Sequence, residues 1–154
     1  MLDMKPEEVA TSFTGAKPGQ SVVQIVKLGA GRAEVGRARR ELARSLHGWG
    51  VARDCADTAM LLTTELVTNA IRHGTAPVTV RAGMQASSGR LQVEVHDCSV
   101  IAVAPRRAAP GDTDGRGLQL VDVLAESWGS RSRSGSAKPG KNVWFQLSTL
   151  PAAG

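Results

Sequence analysis

The sequence predicts an α+β fold, a two-layer sandwich in which helices pack on one face of a mixed, mostly antiparallel sheet. Apolar residues recur at helical spacing in some segments, while short β-branched runs alternate in others, and two of these runs are joined as in a hairpin. With 154 residues, 42% of them hydrophobic, the chain is long enough to bury one core. We expect a disordered tail over residues 1–20, which are rich in Pro, Gly, Thr and Ser, and one domain over residues 21–151.

The first half of the chain predicts one strand followed by two helices. Val22–Leu28 is short and β-branched, as strands are. Arg32–Trp49 has apolar residues at three- and four-residue steps, which indicates an amphipathic helix. A second helix is predicted to begin at Asp54 or Asp57 and to end at Gly74. Four arginines give the first helix a basic outer face, which is either a solvated surface or a docking surface for an acidic partner: Arg37, Arg39, Arg40 and Arg44.

The second half predicts a hairpin, a long connection, one more helix and two closing strands. Pro77–Gln85 and Arg90–Asp97 alternate as strands, and the short link between them favours a hairpin. A connection as long as Cys98–Gly117 is usually functional or disordered. The remaining predictions are a helix over Leu118–Trp128, a weaker strand over Ser127–Ser134 and a closing strand over Asn142–Leu150.

Composition narrows the classes of partner. The formal charge of +5 favours phosphates, nucleic acid or acidic protein surfaces without choosing among them. Aromatic residues make up only 3% of the chain, which disfavours a nucleic-acid-binding surface of stacked bases. The two cysteines lack metal-ligand spacing, and the sequence has neither a signal peptide pattern nor an apolar run of membrane-spanning length. We therefore expect a cytoplasmic protein with no membrane or direct nucleic-acid partner.

Two glycine-rich stretches imitate nucleotide-binding loops. Gly135–Asn142 resembles a phosphate loop with Lys141 in the lysine position, but Asn142 replaces the hydroxyl residue and a strand-like run follows. We interpret that stretch as a turn between two strands. Gly29–Glu34 lacks the third glycine of a dinucleotide-binding turn, so we interpret it as a loop that leads into a helix.

The second helix carries a polar stripe. Glu65, Asn69 and His73 follow one another in steps of four, which places them on one face of the helix. A solvated polar face is one interpretation of this spacing. The other is a magnesium site, because magnesium takes oxygen ligands and often binds through one or two protein oxygens plus substrate phosphates. Asn69 then offers its amide oxygen, and Glu65 accepts a proton from an attacking hydroxyl.

A third glycine-rich stretch precedes the predicted third helix. Gly115 and Gly117 allow close backbone approach, and the first N–H groups of the following helix can hold an anion. A plain junction between a loop and a helix accounts for these two glycines equally well.

Three motifs in order resemble a known family. They are "ELVTNAIRHG", then "VEVHD" at the end of a strand, then "DGRGLQLV" at the start of a helix. Together they resemble the ATP-binding fold shared by gyrase, the Hsp90 chaperone, histidine kinases and the mismatch-repair protein MutL. Within this fold, the sequence is most similar to the bacterial anti-sigma factor serine/threonine kinases, over roughly residues 22–150.

The resemblance implies a role for each matching residue. Glu65 would be the general base, Asn69 a magnesium ligand and His73 a polar residue near the phosphates. Asp97 would accept a hydrogen bond from the amino group of adenine. The lid over the phosphates would include Gly115, Arg116, Gly117 and Leu118. The implied cofactors are ATP and Mg²⁺.

The resemblance also implies partners. These are an anti-anti-sigma protein of the STAS type, which would be phosphorylated, a sigma factor, or both. The sequence leaves open whether the chain forms a homodimer.

Two departures from the family pattern keep a second function open. After Asp97 the chain reads "CSVIA" where the family has two spaced glycines, and Asp112 and Asp114 stand where its kinases carry a basic residue. Arg106, Arg107 or Arg116 would have to substitute for that residue. The alternative is a regulatory binding module that holds nucleotide weakly or not at all and sequesters a sigma factor or antagonist without catalysis.

Overall fold

The computed structural model describes residues 21–85, 88–99, 116–133 and 140–149, where three helices cover one five-stranded sheet. In chain order the elements are β1 (Ser21–Leu28), α1 (Ala33–Gly48), α2 (Arg53–His73), β2 (Val78–Gln85), β3 (Arg90–Asp97), α3 (Arg116–Leu124), β4 (Ser127–Arg133) and β5 (Gly140–Ser148). This order confirms the predicted α+β fold. The tail predicted over residues 1–20 lies outside the described residues.

The sheet has the strand order β1-β2-β3-β5-β4, and each of its four pairings is antiparallel. The expected mixture of parallel and antiparallel strands is therefore absent from the described part of the sheet. The reason is that β5 lies between β3 and β4 and runs opposite to both. The C-terminal end of β3 consequently lies beside the start of β5, where Asp97 pairs with Lys141.

Helix α2 occupies the centre of the helical layer. It contacts both other helices and strands β2, β3 and β5. Leu62 and Val67 are completely buried, and burial of such a side chain contributes about 1.5–3 kcal/mol. Its apolar face is therefore fixed against the sheet, and this packing determines where the polar stripe beside it lies.

Helix α1 begins at Ala33, within the Gly29–Glu34 stretch that was interpreted as a loop leading into a helix. The backbone N–H of Gly29 donates to Glu34 Oε1 at 3.0 Å, and Arg37 forms an ion pair with Glu34 at 3.3 Å. The hydrogen bond from Gly29, followed by that from Arg37, lowers the pKa of the Glu34 carboxyl below its ordinary value. The four arginines of the basic face are exposed, as predicted: Arg37, Arg39, Arg40 and Arg44.

The third helix is shorter than predicted, because α3 ends at Leu124 and Trp128 lies in β4. Apolar spacing alone allowed Trp128 to continue the helix. The competing interaction is the sheet ladder, since Trp128 pairs with Phe145 and the backbone N–H of Glu126 already donates to Gln146 O at 2.9 Å. The indole N–H of Trp128 donates a hydrogen bond to Asp122 Oδ1 on α3 at 2.9 Å.

Strand β5 begins earlier than predicted, at Gly140, so Lys141 and Asn142 belong to a strand. The interpretation of Gly135–Asn142 as a turn is wrong for these last residues, because the β3 ladder extends to Lys141. A strand in this position also excludes a phosphate loop, which requires a following helix. None of the helices in the described ranges is both long and apolar enough to cross a membrane.

Candidate functional site

The polar stripe lies on the C-terminal half of α2. Glu65 and Asn69 are partly buried, and His73 is exposed at the last residue of the helix. Asn69 lines a pocket, whereas Glu65 and His73 lie one turn before and one turn after it and are not among the residues that line that pocket. Solvent exposure along the stripe therefore increases from Asn69, at the pocket wall, to His73 at the end of the helix.

Asp97 is a buried carboxylate at the end of β3, with only 1% of its surface exposed. Its Oδ1 accepts hydrogen bonds from the backbone N–H of Ser99 at 2.7 Å and of Thr75 at 3.4 Å. Its Oδ2 lies 3.5 Å from Lys141 Nζ. These contacts from three segments hold the carboxylate in one orientation, as a buried charge requires.

Gly74 makes room for this carboxylate. It ends α2 with its N–H donating to Ala70 O at 2.9 Å. A Cβ at this position would lie 2.6 Å from Asp97 Cγ and 2.5 Å from Ala70 O, which is closer than real Cβ atoms approach. The glycine is thus required by the close approach of the end of α2 to Asp97.

A pocket lies between α2, the start of α3 and the adjacent ends of β3 and β5. It encloses about 260 Å³, a figure that includes space open to solvent and therefore does not measure the size of a ligand. Among the described residues, the polar lining consists of Asn69, Asp97 and Lys141, and the apolar lining of Leu66, Ala70, Val95, Leu118 and Val143.

The structure thus brings together three of the predicted site residues, Asn69, Asp97 and Leu118. Gly115 lies outside the described residues. The backbone of Arg116 and Gly117 forms the first turn of α3, so Gly117 is part of the helix and does not precede it as predicted. Leu118 is buried at 5% exposure and lines the pocket from α3.

Lys141 is the pocket residue that sequence reasoning missed. The sequence pattern indicates it only as the lysine of an imperfect phosphate loop, whereas it lies on β5, directly opposite Asp97. It is 7% exposed, which is rare for a lysine. The local sequence carried no signal for this position, because burial does not alternate at the start of β5, where Gly140 and Lys141 are both buried.

The donor set fits magnesium only in part. Within the ranges that the structure describes, no group of three or more His, Cys, Asp or Glu side chains could hold a metal ion. Asn69 offers one oxygen at the pocket wall, which suits an ion that binds through one or two protein oxygens and the phosphates of a ligand. Magnesium would therefore enter together with a nucleotide.

The fold is that of a two-layer α+β domain with a pocket between its layers, and comparison with known proteins identifies its family. The model of the histidine kinase-like ATPase domain family matches residues 29–147, which is most of the chain. The chain belongs to this family, and ATP is the nucleotide that the family implies.

Among solved structures, the crystal structure of the RsbU and RsbW domains of Rv1364c from Mycobacterium tuberculosis is similar to this chain, with a TM-score of 0.58 and 17% sequence identity. The match covers 82% of this chain and 32% of that one, so this chain spans about a third of the length of its structural relative. At this identity the likeness shows the fold alone. No curated protein matches the sequence significantly.

Proposed function

We propose that this protein binds ATP with magnesium and acts as a regulatory serine/threonine kinase of the anti-sigma factor type. The observation that carries the proposal is the convergence of Asn69, Asp97 and Leu118 on one pocket, since these residues come from three separate motifs of the sequence. In this proposal the chain phosphorylates an anti-anti-sigma partner of the STAS type and controls transcription by partner switching in the cytoplasm.

The base of ATP would enter the apolar part of the pocket. Leu66, Val95 and Val143 offer apolar contact, while Asp97 offers a carboxylate acceptor on the pocket wall. A carboxylate accepts hydrogen bonds from the adenine amino group, and burial strengthens that contact. The base would therefore be oriented by Asp97 and enclosed by side chains of both layers.

The phosphates would extend from the pocket along α2. Magnesium, when bound, neutralises phosphate charge and is a template for the transfer. In this proposal Asn69 holds it through the amide oxygen, and His73 lies further along the same face of α2. The lid over the phosphates would come from Gly115, Arg116, Gly117 and Leu118.

Glu65 would act on the acceptor. A hydroxyl of the partner protein attacks the terminal phosphorus and ADP leaves, while Glu65 takes the hydroxyl proton. Glu65 lies one turn before Asn69 and is partly buried, so it combines proximity to the metal ligand with access to a protein substrate.

The exposed arginines of α1 support a protein partner. Arg39 and Arg40 are exposed on the outer face, and a basic surface steers association with an acidic partner. The partner would be the anti-anti-sigma protein, a sigma factor, or both, and a homodimer is compatible with either.

A second function is favoured by one observation. The Asp97 carboxylate already accepts two backbone hydrogen bonds and lies beside the Lys141 ammonium, so an adenine amino group has to share it. A chain that holds nucleotide weakly would act as a binding module that sequesters a sigma factor or antagonist without catalysis.

One experiment separates the two functions. ATP binding is measured by calorimetry with and without magnesium, and labelled ATP is then offered together with a candidate STAS-type partner. We expect magnesium-dependent binding, and transfer that falls about 100-fold or more in Glu65→Gln, because general bases contribute about 10²–10⁴-fold. Asn69→Ala should remove the effect of magnesium on binding.

Glu41→Gln is the matched control, since it makes the same change on α1 and should leave transfer intact. Transfer that survives both Glu65→Gln and Asn69→Ala would contradict the assigned roles. Failure of the wild type to bind ATP under any condition would favour the binding module.

A further inference from the structure

A buried lysine forms part of the pocket wall beside the carboxylate assigned to the base. Lys141 Nζ lies 3.5 Å from Asp97 Oδ2, and the two residues are directly opposite each other on β5 and β3. Desolvation of an ammonium is costly unless it is paired and hydrogen-bonded. Among the described residues, Asp97 is the acidic partner of Lys141, so the two charges of the pair balance.

The two carboxylate oxygens of Asp97 have different roles. Oδ1 accepts two backbone hydrogen bonds, including the short one from Ser99 at 2.7 Å. Oδ2 has the contact to Lys141 at 3.5 Å, which is longer than the usual 2.7–2.9 Å or so of a charge-assisted hydrogen bond. Oδ2 therefore keeps acceptor capacity, and the ammonium, with three N–H donors, keeps donor capacity.

This pair presents an acceptor and a donor side by side on the wall of the pocket. The edge of adenine presents the complementary order, because its 6-amino group is a donor and its neighbouring ring nitrogen N1 is an acceptor. We infer that Lys141 donates a hydrogen bond to adenine N1 while Asp97 Oδ2 accepts one from the 6-amino group. Lys141 is then a specificity-determining residue of the base site.

A buried hydroxyl lies beside this pair on the neighbouring strand. Ser132 on β4 pairs with Lys141, so Asp97, Lys141 and Ser132 lie side by side on three neighbouring strands. The Oγ atom of Ser132 is buried and has no hydrogen-bond partner among the described residues. A buried polar atom without a partner is rare, and it indicates that this row has hydrogen-bonding capacity that the described chain does not use.

The inference rests on the proposed ATP site, and the test uses three nucleotides on the intact protein. ATP is compared with 1-deaza-ATP, in which C–H replaces N1, and with purine riboside triphosphate, which lacks the 6-amino group. The wild type should bind each analogue about 10-fold or more weakly than ATP, the usual effect of losing a hydrogen bond to a charged group. Lys141→Met should still disfavour purine riboside triphosphate but should bind ATP and 1-deaza-ATP equally.

Lys27→Met is the matched control, because Lys27 is an exposed lysine on β1 and should keep the wild-type order of the three nucleotides. If Lys141→Met does not fold, the comparison of ATP with 1-deaza-ATP in the wild type decides alone. Equal binding of these two by the wild type would overturn the role of Lys141 while leaving the ATP site in place. No binding of ATP by the wild type would instead contradict the proposed function.

Discussion

The two ends of the site are built in different ways. The base end, which we define as Asp97, Lys141 and Gly74, is buried or closely packed, and its parts come from α2, β3 and β5. The phosphate edge, which we define as Glu65, Asn69 and His73, lies on one helix and becomes more exposed towards His73. Tertiary packing therefore brings the residues of the base end together, whereas those of the phosphate edge share one face because of the period of one helix.

Because of this difference, we expect changes at the two ends to affect stability and function differently. A change at the base end removes contacts between elements, so it should lower the free energy of unfolding as well as nucleotide affinity. A change at the phosphate edge removes a half-exposed side chain, so it should alter transfer with little effect on unfolding.

Asp97→Ala should have the largest effect. It leaves the buried Lys141 ammonium without its carboxylate, and loss of one partner of a buried ion pair costs about 3–5 kcal/mol. Urea denaturation measures this change. The double variant Asp97→Ala/Lys141→Met should recover a large part of the loss, and a single-variant cost below about 1 kcal/mol would contradict the description of a buried pair.

Gly74→Ala should have the next largest effect. The new Cβ has to displace the Asp97 carboxylate or the end of α2, and such overpacking costs about 1–3 kcal/mol. ATP affinity should fall with it, because the displaced carboxylate is the proposed contact to adenine. Both quantities are measured by urea denaturation and calorimetry.

Gly48→Ala is the matched control for this change. Gly48 is the last residue of α1, is exposed, and a Cβ there meets nothing within 4 Å. Its replacement should leave stability unchanged or raise it by up to about 1 kcal/mol. Equal behaviour of the two glycine variants would contradict the role of Gly74 in admitting Asp97.

Asn69→Ala and Glu65→Gln should have small effects on stability. Both side chains are partly exposed, so each unfolding free energy should stay within about 0.5 kcal/mol of the wild type. Thermal and urea unfolding measure this. A cost of about 2 kcal/mol or more at either position would show that the phosphate edge is structural, which removes the contrast between the two ends.

Glu94 offers a second buried carboxylate on β3, on the face of the sheet opposite Asp97. Burial is the main cause that raises its pKa above the ordinary 4.5, and Arg81 and a hydrogen bond with Asn142 only partly oppose this. A raised pKa in the folded state means that the fold binds this proton more tightly than the unfolded chain does. Stability should therefore fall as the pH rises from 4.5 through the folded-state pKa.

Glu94→Gln removes this titration. The variant should be more stable than the wild type at neutral pH, and the difference should shrink as the pH falls towards 4.5. Thermal unfolding across this pH range measures the difference. A difference that grows as the pH falls would have the wrong sign and would contradict the dominant role of burial at Glu94.

The two ends also differ in how far the sequence predicts them. Glu65, Asn69 and His73 were recognisable as a group because a helix repeats locally, with neighbours four residues apart. Asp97 was predictable as the end of a strand, but its pairing with Lys141 was not, since cross-strand neighbours far apart in the chain leave no local pattern. The same limit explains Trp128, whose apolar spacing fits both a helix and the strand that it joins.

The affinity of the wild type and of Asp97→Asn for ATP with magnesium tests the central claim most directly. This variant keeps the shape of the side chain and removes the charge of the acceptor. The account predicts that the wild type binds ATP and that Asp97→Asn binds it about 10- to 100-fold more weakly, which corresponds to the loss of a hydrogen bond to a charged group. Equal affinity of the two proteins would contradict the assignment of this pocket as the adenine site.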